Sequence, residues 1–173
     1  MKSFISAIII ILVTAGNAAA QRGHNALGIR LTTDGGGVSF KSFVNRQFAI
    51  ETQLNLGGLR YLEGHSVTAT GLIEYHLPLP YPQFRIVFGG GCHFGIWTGR
   101  EDPDDPDGFI FGLDGIGGIE YIFPKSPWSV SGDWKPSLNY IQVVEPFQHG
   151  MFGVAVRYYF GSNRVKPVNN PRS

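Results

Sequence analysis

The chain has 173 residues, 14 Lys and Arg against 13 Asp and Glu, 43% hydrophobic residues, 24 Gly, 13 Phe, 7 Tyr and 3 Trp. That length suits one domain on a prior of roughly 150 residues per domain. The near-zero charge excludes the basic footprint of a nucleic-acid binder. A single Cys excludes both a disulfide framework and a CxxC-type metal cage. Abundant Gly and aromatics, without long runs rich in Ala, Glu, Lys and Leu, point to an all-β fold.

The first twenty residues read as an address. Lys2 precedes the apolar run 5–13, and Ala18-Ala19-Ala20 supplies the small residues that a signal peptidase requires. A cleavable secretory signal peptide over 1–20 follows, cut after Ala20. The apolar run is far shorter than the ~20 residues needed to span a bilayer as a helix. No Cys follows it to carry a lipid anchor. Loss of Lys2 with this leader leaves 13 basic against 13 acidic residues.

Beyond it, apolar and polar residues alternate with a period of two, interrupted by clusters of Gly, Pro, Asn and Asp. Strands are predicted over 25–33, 37–44, 48–56, 65–77, 84–98, 109–123, 128–141 and 150–160. Short connections at Asn45-Arg46-Gln47, 78–83 and 124–127 alternate with 57–64, 99–108 and 143–149, plus a short Asp34-Gly35-Gly36. An even number of antiparallel strands, with short turns at one end and longer loops at the other, is the pattern of a transmembrane β-barrel.

The parity of each strand sets which face meets lipid. In the fifth, Phe84, Ile86, Phe88, Cys92, Phe94 and Ile96 oppose Arg85, Gly89, Gly91, His93 and Gly95. In the eighth, Phe152, Val154, Val156, Tyr158 and Phe160 oppose Gly153, Ala155, Arg157 and Tyr159. The large aromatics exceed what a narrow barrel encloses, whereas Gly and Ser crowd the polar face, so the polar face is inside. Aromatics also gather near the short turns, at Tyr75, Tyr81, Phe84, Tyr121, Phe123, Trp128, Tyr158 and Phe160. An interfacial girdle requires that placement.

The same parity turns Arg30, Lys41, Glu51, Glu74, Arg85, Asp114, Glu120, Asp133, Lys135 and Arg157 into the lumen. Five bases and five acids in a barrel just wide enough for side chains are expected to pair across it. A selective pore is the alternative, but a ring of one sign would suit selective conduction better.

Motifs for chemistry are sparse. The acidic loop 101–108 offers oxygen ligands, but Pro103 breaks an EF-hand frame. His24, His65, His76, His93 and His149 include no pair four residues apart, so no helical zinc pair exists. Ser131-Gly132 lacks the preceding Gly of a nucleophile elbow. The Gly-rich stretch 115–120 misses the last Gly of the dinucleotide fingerprint. The reading is therefore a non-enzyme with no cofactor and no metal site.

Residues 25–160 resemble the small eight-stranded outer-membrane β-barrel proteins, the group of the OmpA transmembrane domain and the OmpX-like proteins. The likeness is architectural. It includes a closing strand, Met151-Phe152-Gly153-Val154-Ala155-Val156-Arg157-Tyr158-Tyr159-Phe160, similar to the aromatic-ended last strand that the family's insertion machinery recognises. The resemblance implies an all-β, eight-stranded antiparallel up-and-down transmembrane β-barrel over 21–160, in the outer membrane of a Gram-negative cell. It also implies contact with outer-membrane lipid and lipopolysaccharide. The chain departs from the pattern in running on through 161–173, read as a short periplasmic tail, too short for a folded peptidoglycan-binding domain.

The function expected on these grounds is structural or interactive, through surface loops 57–64, 99–108 and 143–149. Tyr61, Leu62, Asp104, Asp105 and Phe147 are the candidate contacts for a surface partner. A narrow channel for ions or small solutes is the second reading, and a lipid A-modifying enzyme the third.

Overall fold

The computed structural model describes residues 25–57, 64–99, 108–140 and 147–160. They form eight strands: β1 Asn25–Thr32, β2 Gly36–Phe43, β3 Phe48–Gly57, β4 Gly64–Pro78, β5 Phe84–Gly99, β6 Gly108–Ile122, β7 Trp128–Asn139 and β8 Phe147–Phe160. Each pairs antiparallel with the next, and β1 closes on β8 from Asn25↔Phe160 to Thr32↔Gly153. Closure leaves no strand edge, which is the condition for a sheet to cross lipid. The leader 1–20 and the tail 161–173 lie outside the described residues.

The alternation works inside out. Outward-facing Ile29, Phe109 and Phe152 are about two-thirds exposed, whereas inward-facing Arg30, Glu51, Glu74 and Glu120 are fully buried. A soluble barrel would invert this, because water outside favours polar groups there. Slipping one strand by a residue would turn its charges toward hydrocarbon, at roughly 2–4 kcal/mol for each Lys or Arg at the midplane.

Local chemistry sets the turn end. The Asn45 side-chain Oδ1 accepts hydrogen bonds from the backbone N–H groups of Gln47 and Phe48, both at 2.8 Å, which reverses the chain between β2 and β3. Above these turns the outward rings form a collar. Phe84 packs on Tyr121 at 4.9 Å between centroids, Tyr121 on Phe123 at 5.0 Å, and Trp128 on Tyr158 at 5.1 Å. Phe48, Tyr75 and Phe88 continue it along β3–β5.

Two strand ends depart from the sequence expectation, near a common feature. Pro136 lacks an N–H to give to a neighbour, and in a closed barrel no edge is available to hide it. The β7–β8 register shifts between Lys135 and Ser137, the bulge that accommodates it. Pairing resumes beyond the bulge as Ser137↔Gln148 and Leu138↔Phe147. Phe147 is therefore the first residue of β8, which corrects its placement in a loop 143–149. At the same end β7 stops at Asn139, so Tyr140 stands beyond the strand, highly exposed, held by its N–H to the Phe111 carbonyl at 2.8 Å.

The lumen is filled by setting long side chains against glycine. A Cβ on Gly28 would lie 2.5 Å from Arg157 Cγ, and one on Gly153 would lie 2.7 Å from Arg30 Cζ. Both guanidinium groups thus cross the barrel through space that glycine leaves. Gly153→Val is expected to displace Arg30 and cost about 3 kcal/mol, the upper range for overpacking. A urea unfolding curve of the refolded variant checks it; wild-type stability would show that Arg30 does not need this space.

Candidate functional site: the polar lumen

All ten charges assigned to the lumen face it, and the strand register explains how most of them meet. Lys41 stands opposite Glu51 in the β2–β3 ladder. Its ammonium lies 3.0 Å from Glu51 Oε2 and 2.7 Å from Glu74 Oε2 on β4. Arg157 reaches across from β8 and donates from Nη2 to both Glu51 oxygens, at 2.9 and 3.1 Å. Its Nη1 donates to Ser131 Oγ at 2.6 Å and its Nε to Ser39 Oγ at 3.2 Å. One guanidinium thereby ties β8, β3, β7 and β2 together.

Nearer the loop end, Arg30 on β1 forms a bidentate pair with Asp133 on β7, one arm being Nη1 to Oδ2 at 2.6 Å and the other Nη2 to Oδ1. A planar fork on a planar carboxylate is the geometry that stabilises a buried ion pair best. At the turn end Glu120 accepts from Ser129 Oγ and Tyr159 OH, each at 2.9 Å. The Arg85 guanidinium lies 5.9 Å from the centroid of the Phe43 ring. Among the described residues neither Arg85 nor Lys135 forms an ion pair.

The register also brings in residues that the charge pattern alone passed over. His76 sits between two carboxylates, with Nε2 3.1 Å from Glu74 Oε2 and Nδ1 3.6 Å from Glu120 Oε2. Phe43 stacks beside it at 4.8 Å. The period-two pattern from Glu74 marks His76 as inward, so the signal was present. Gln53 donates to Glu51 Oε1 at 2.9 Å.

Ser131 and His93 do not form a nucleophile–base pair. Ser131 is bound to Arg157 rather than to His93. His93 Nδ1 lies 2.9 Å from Asp114 Oδ2, and its Nε2 lies 3.0 Å from Asn139 Oδ1. Ser137 Oγ donates to Asp114 Oδ1 at 2.7 Å, so its proton goes to the carboxylate and not to an imidazole base. The candidate surface contacts Tyr61, Leu62, Asp104 and Asp105 lie outside the described residues.

Free space is uneven. A cavity of about 70 Å³ opens at the loop end, among Thr70, His93, Trp97, Asp114 and Lys135. A smaller cavity of about 10 Å³ lies at mid-barrel, bordered by Lys41, Glu74, Asp133 and Arg157.

An apolar belt, an aromatic collar and a charged lumen inside eight antiparallel strands define a small transmembrane β-barrel of the outer-membrane type. Solved structures agree. The N-terminal β-barrel domain of Pseudomonas aeruginosa OprF aligns with a TM-score of 0.67 at 13% identity, covering 80% of this chain and 100% of that one. Neisserial surface protein A (NspA) aligns at 0.54 and 13% identity, over 80% of this chain and 96% of that one. The Yersinia pestis outer-membrane protein Ail, in a phospholipid bilayer nanodisc, aligns at 0.50 and 10% identity, over 80% and 100%. At these identities the likeness is one of fold. No protein-family model matches the chain, and no curated protein does either.

Proposed function

We propose that this protein is a scaffold of the Gram-negative outer membrane whose sealed, charge-paired lumen stiffens a barrel that presents its loops at the cell surface. The observation that carries the reading is the crossing of the mid-lumen by Arg30–Asp133 and by Lys41, Glu51, Glu74 and Arg157. A cavity of about 10 Å³ borders Lys41, Glu74, Asp133 and Arg157. These crossing side chains occupy the lumen space that a hydrated ion would need, in a barrel just wide enough for side chains to fill. The role at the surface is supported by a neighbour of the same fold described as Neisserial surface protein A.

Localisation and topology follow the same proposal. The leader ends at Ala20 and is removed on export, the insertion machinery engages the closing strand, and 161–173 lies in the periplasm. Lipid and lipopolysaccharide surround the apolar belt, and the surface partner meets the loops through residues such as Tyr61, Leu62, Asp104 and Asp105. The non-enzyme reading is supported by His93 and His76, whose Nε2 atoms meet Asn139 and Glu74 rather than a hydroxyl nucleophile.

Planar-bilayer recording of the purified, inserted protein is the test, and the expected result is the absence of discrete conductance steps. Reproducible steps whose size or ion preference changes in Asp133→Asn would replace the scaffold by a pore.

A further inference from the structure

The loop-end cavity has a chemistry of its own, separate from the ion pairs beneath it. Lys135 leaves β7, crosses the lumen and brings its ammonium to 3.5 Å from Thr70 Oγ1 on β4, so it forms the floor of the cavity. It is 3% exposed, and that long hydrogen bond is its sole polar contact among the described residues.

Neither neighbouring carboxylate forms an ion pair with Lys135, although Asp114 keeps its charge and attracts the ammonium through space. Asp133 is held by both arms of Arg30, and Asp114 by His93 on one oxygen and Ser137 on the other. A buried ammonium without a counter-charge in contact is costly, and the cost falls when an anion occupies the space beside it.

The walls suit the same ligand. Ser66, Thr68 and Thr70 present hydroxyls from β4, and Trp97 presents its indole from β5. Asn55 is buried on β3 with its Oδ1 lacking a partner. Turning that amide over would aim its NH2 group as a donor instead. Asp34 at the mouth is the acid that faces the cavity beside Asp114, and it sits on the β1–β2 turn, away from the floor.

The way in follows from strand lengths. β1 and β2 end at Thr32 and Gly36, level with Gly153 and Leu56, while β8 continues back to Phe147 and β5 runs to Gly99. The described rim is therefore lowest beside the β1–β2 turn, where Thr32 and Asp34 border the cavity.

From this geometry we infer that the loop-end cavity is a binding site for one small oxyanion of phosphate or sulfate size, anchored by Lys135 and the Thr70 hydroxyl. The site ends at Lys135 and does not require conduction, so it stands whether or not the lumen below is sealed.

Inorganic phosphate titrated into the folded full chain in detergent micelles, at ionic strength held constant with chloride, tests it. Two signals are read: the thermal unfolding midpoint and Trp fluorescence, with Trp97→Phe identifying the cavity's contribution to the second. Wild type is expected to show a saturable rise in midpoint together with a fluorescence change. Lys135→Met, which removes the buried charge, is expected to lose both. Asn55→Leu keeps every charge and is expected to weaken binding about tenfold, the value of one hydrogen bond to an ion. An equal response of Lys135→Met and wild type, or no saturable response in wild type, would overturn the assignment.

Discussion

Deletion of Gly89 is expected to abolish membrane insertion. One residue fewer in β5 forces one half of the strand to change faces, whichever end of the strand supplies the slack. If the loop end moves, Phe94 takes the place of His93, and Ile96 takes that of Gly95. There even a Cβ would lie 2.7 Å from Thr68 Cγ2, and His93 turns to lipid. If the turn end moves instead, Phe88 enters the position of Gly89, where a Cβ would lie 2.9 Å from the Glu74 backbone. Arg85 then points outward, away from Phe43.

Each misplaced group costs a few kcal/mol, and several are misplaced together. Their sum is comparable with the whole stability of a typical domain, about 5–15 kcal/mol. Electrophoresis with and without boiling, which separates folded from unfolded barrels, reads the outcome. Deletion of Asp104 in the loop after β5 serves as the control, since no strand changes parity there. An inserted, heat-modifiable Gly89 deletion would disprove the β5 register.

The sequence carried this register because parity is nearly binary. Arg85, His93, Asp114, Lys135 and Arg157 each fall on one face of a strand whose other face is aromatic or aliphatic. A residue of either kind on the wrong face is costly enough that few alternatives survive. What parity does not encode is which inward group meets which across the lumen. Arg30 and Asp133 lie 103 residues apart, on strands separated by β8. Their meeting depends on barrel stagger and on the space at Gly153, neither of which is a local property of either strand.

The same reason explains His76 and Lys135. His76 is inward on the pattern that places Glu74, but its seat between Glu74 and Glu120 needs β4 and β6 to converge over β5. Lys135 is legible as a lumen base, yet that its ammonium ends at Thr70 while Asp133 binds Arg30 and Asp114 binds His93 and Ser137 depends on how the strands stagger. Pro136 carried a local signal, a missing donor in a central strand, and that signal accounts for the bulge and the displaced start of β8.

The second large effect falls on Arg157. Arg157→Met is expected to destabilise the barrel by about 3–5 kcal/mol, the range for removing one partner of a buried ion pair. Three donors disappear at once. Glu51 loses both contacts from Nη2, and Ser131 and Ser39 lose theirs at 2.6 and 3.2 Å. The remaining cation at Glu51 is Lys41, which must also serve Glu74. Methionine fills part of the volume but leaves two carboxylates, Glu51 and Glu74, on a single Lys41 at mid-lumen.

Adding Glu51→Gln to Arg157→Met removes the charge that was stranded. The double variant is expected to recover about 2 kcal/mol of the loss, a coupling of the size seen for groups in direct contact. Arg157→Lys should fall between, because a point charge cannot hold Ser39, Ser131 and both Glu51 oxygens from one position. Urea unfolding of wild type, Arg157→Met, Glu51→Gln and the double variant in the same micelles measures the cycle, with Arg157→Lys run alongside. Additive losses in the double variant would mean that Glu51 and Arg157 contribute separately, and that steric filling of the lumen, rather than its charge pairing, holds the strands in register.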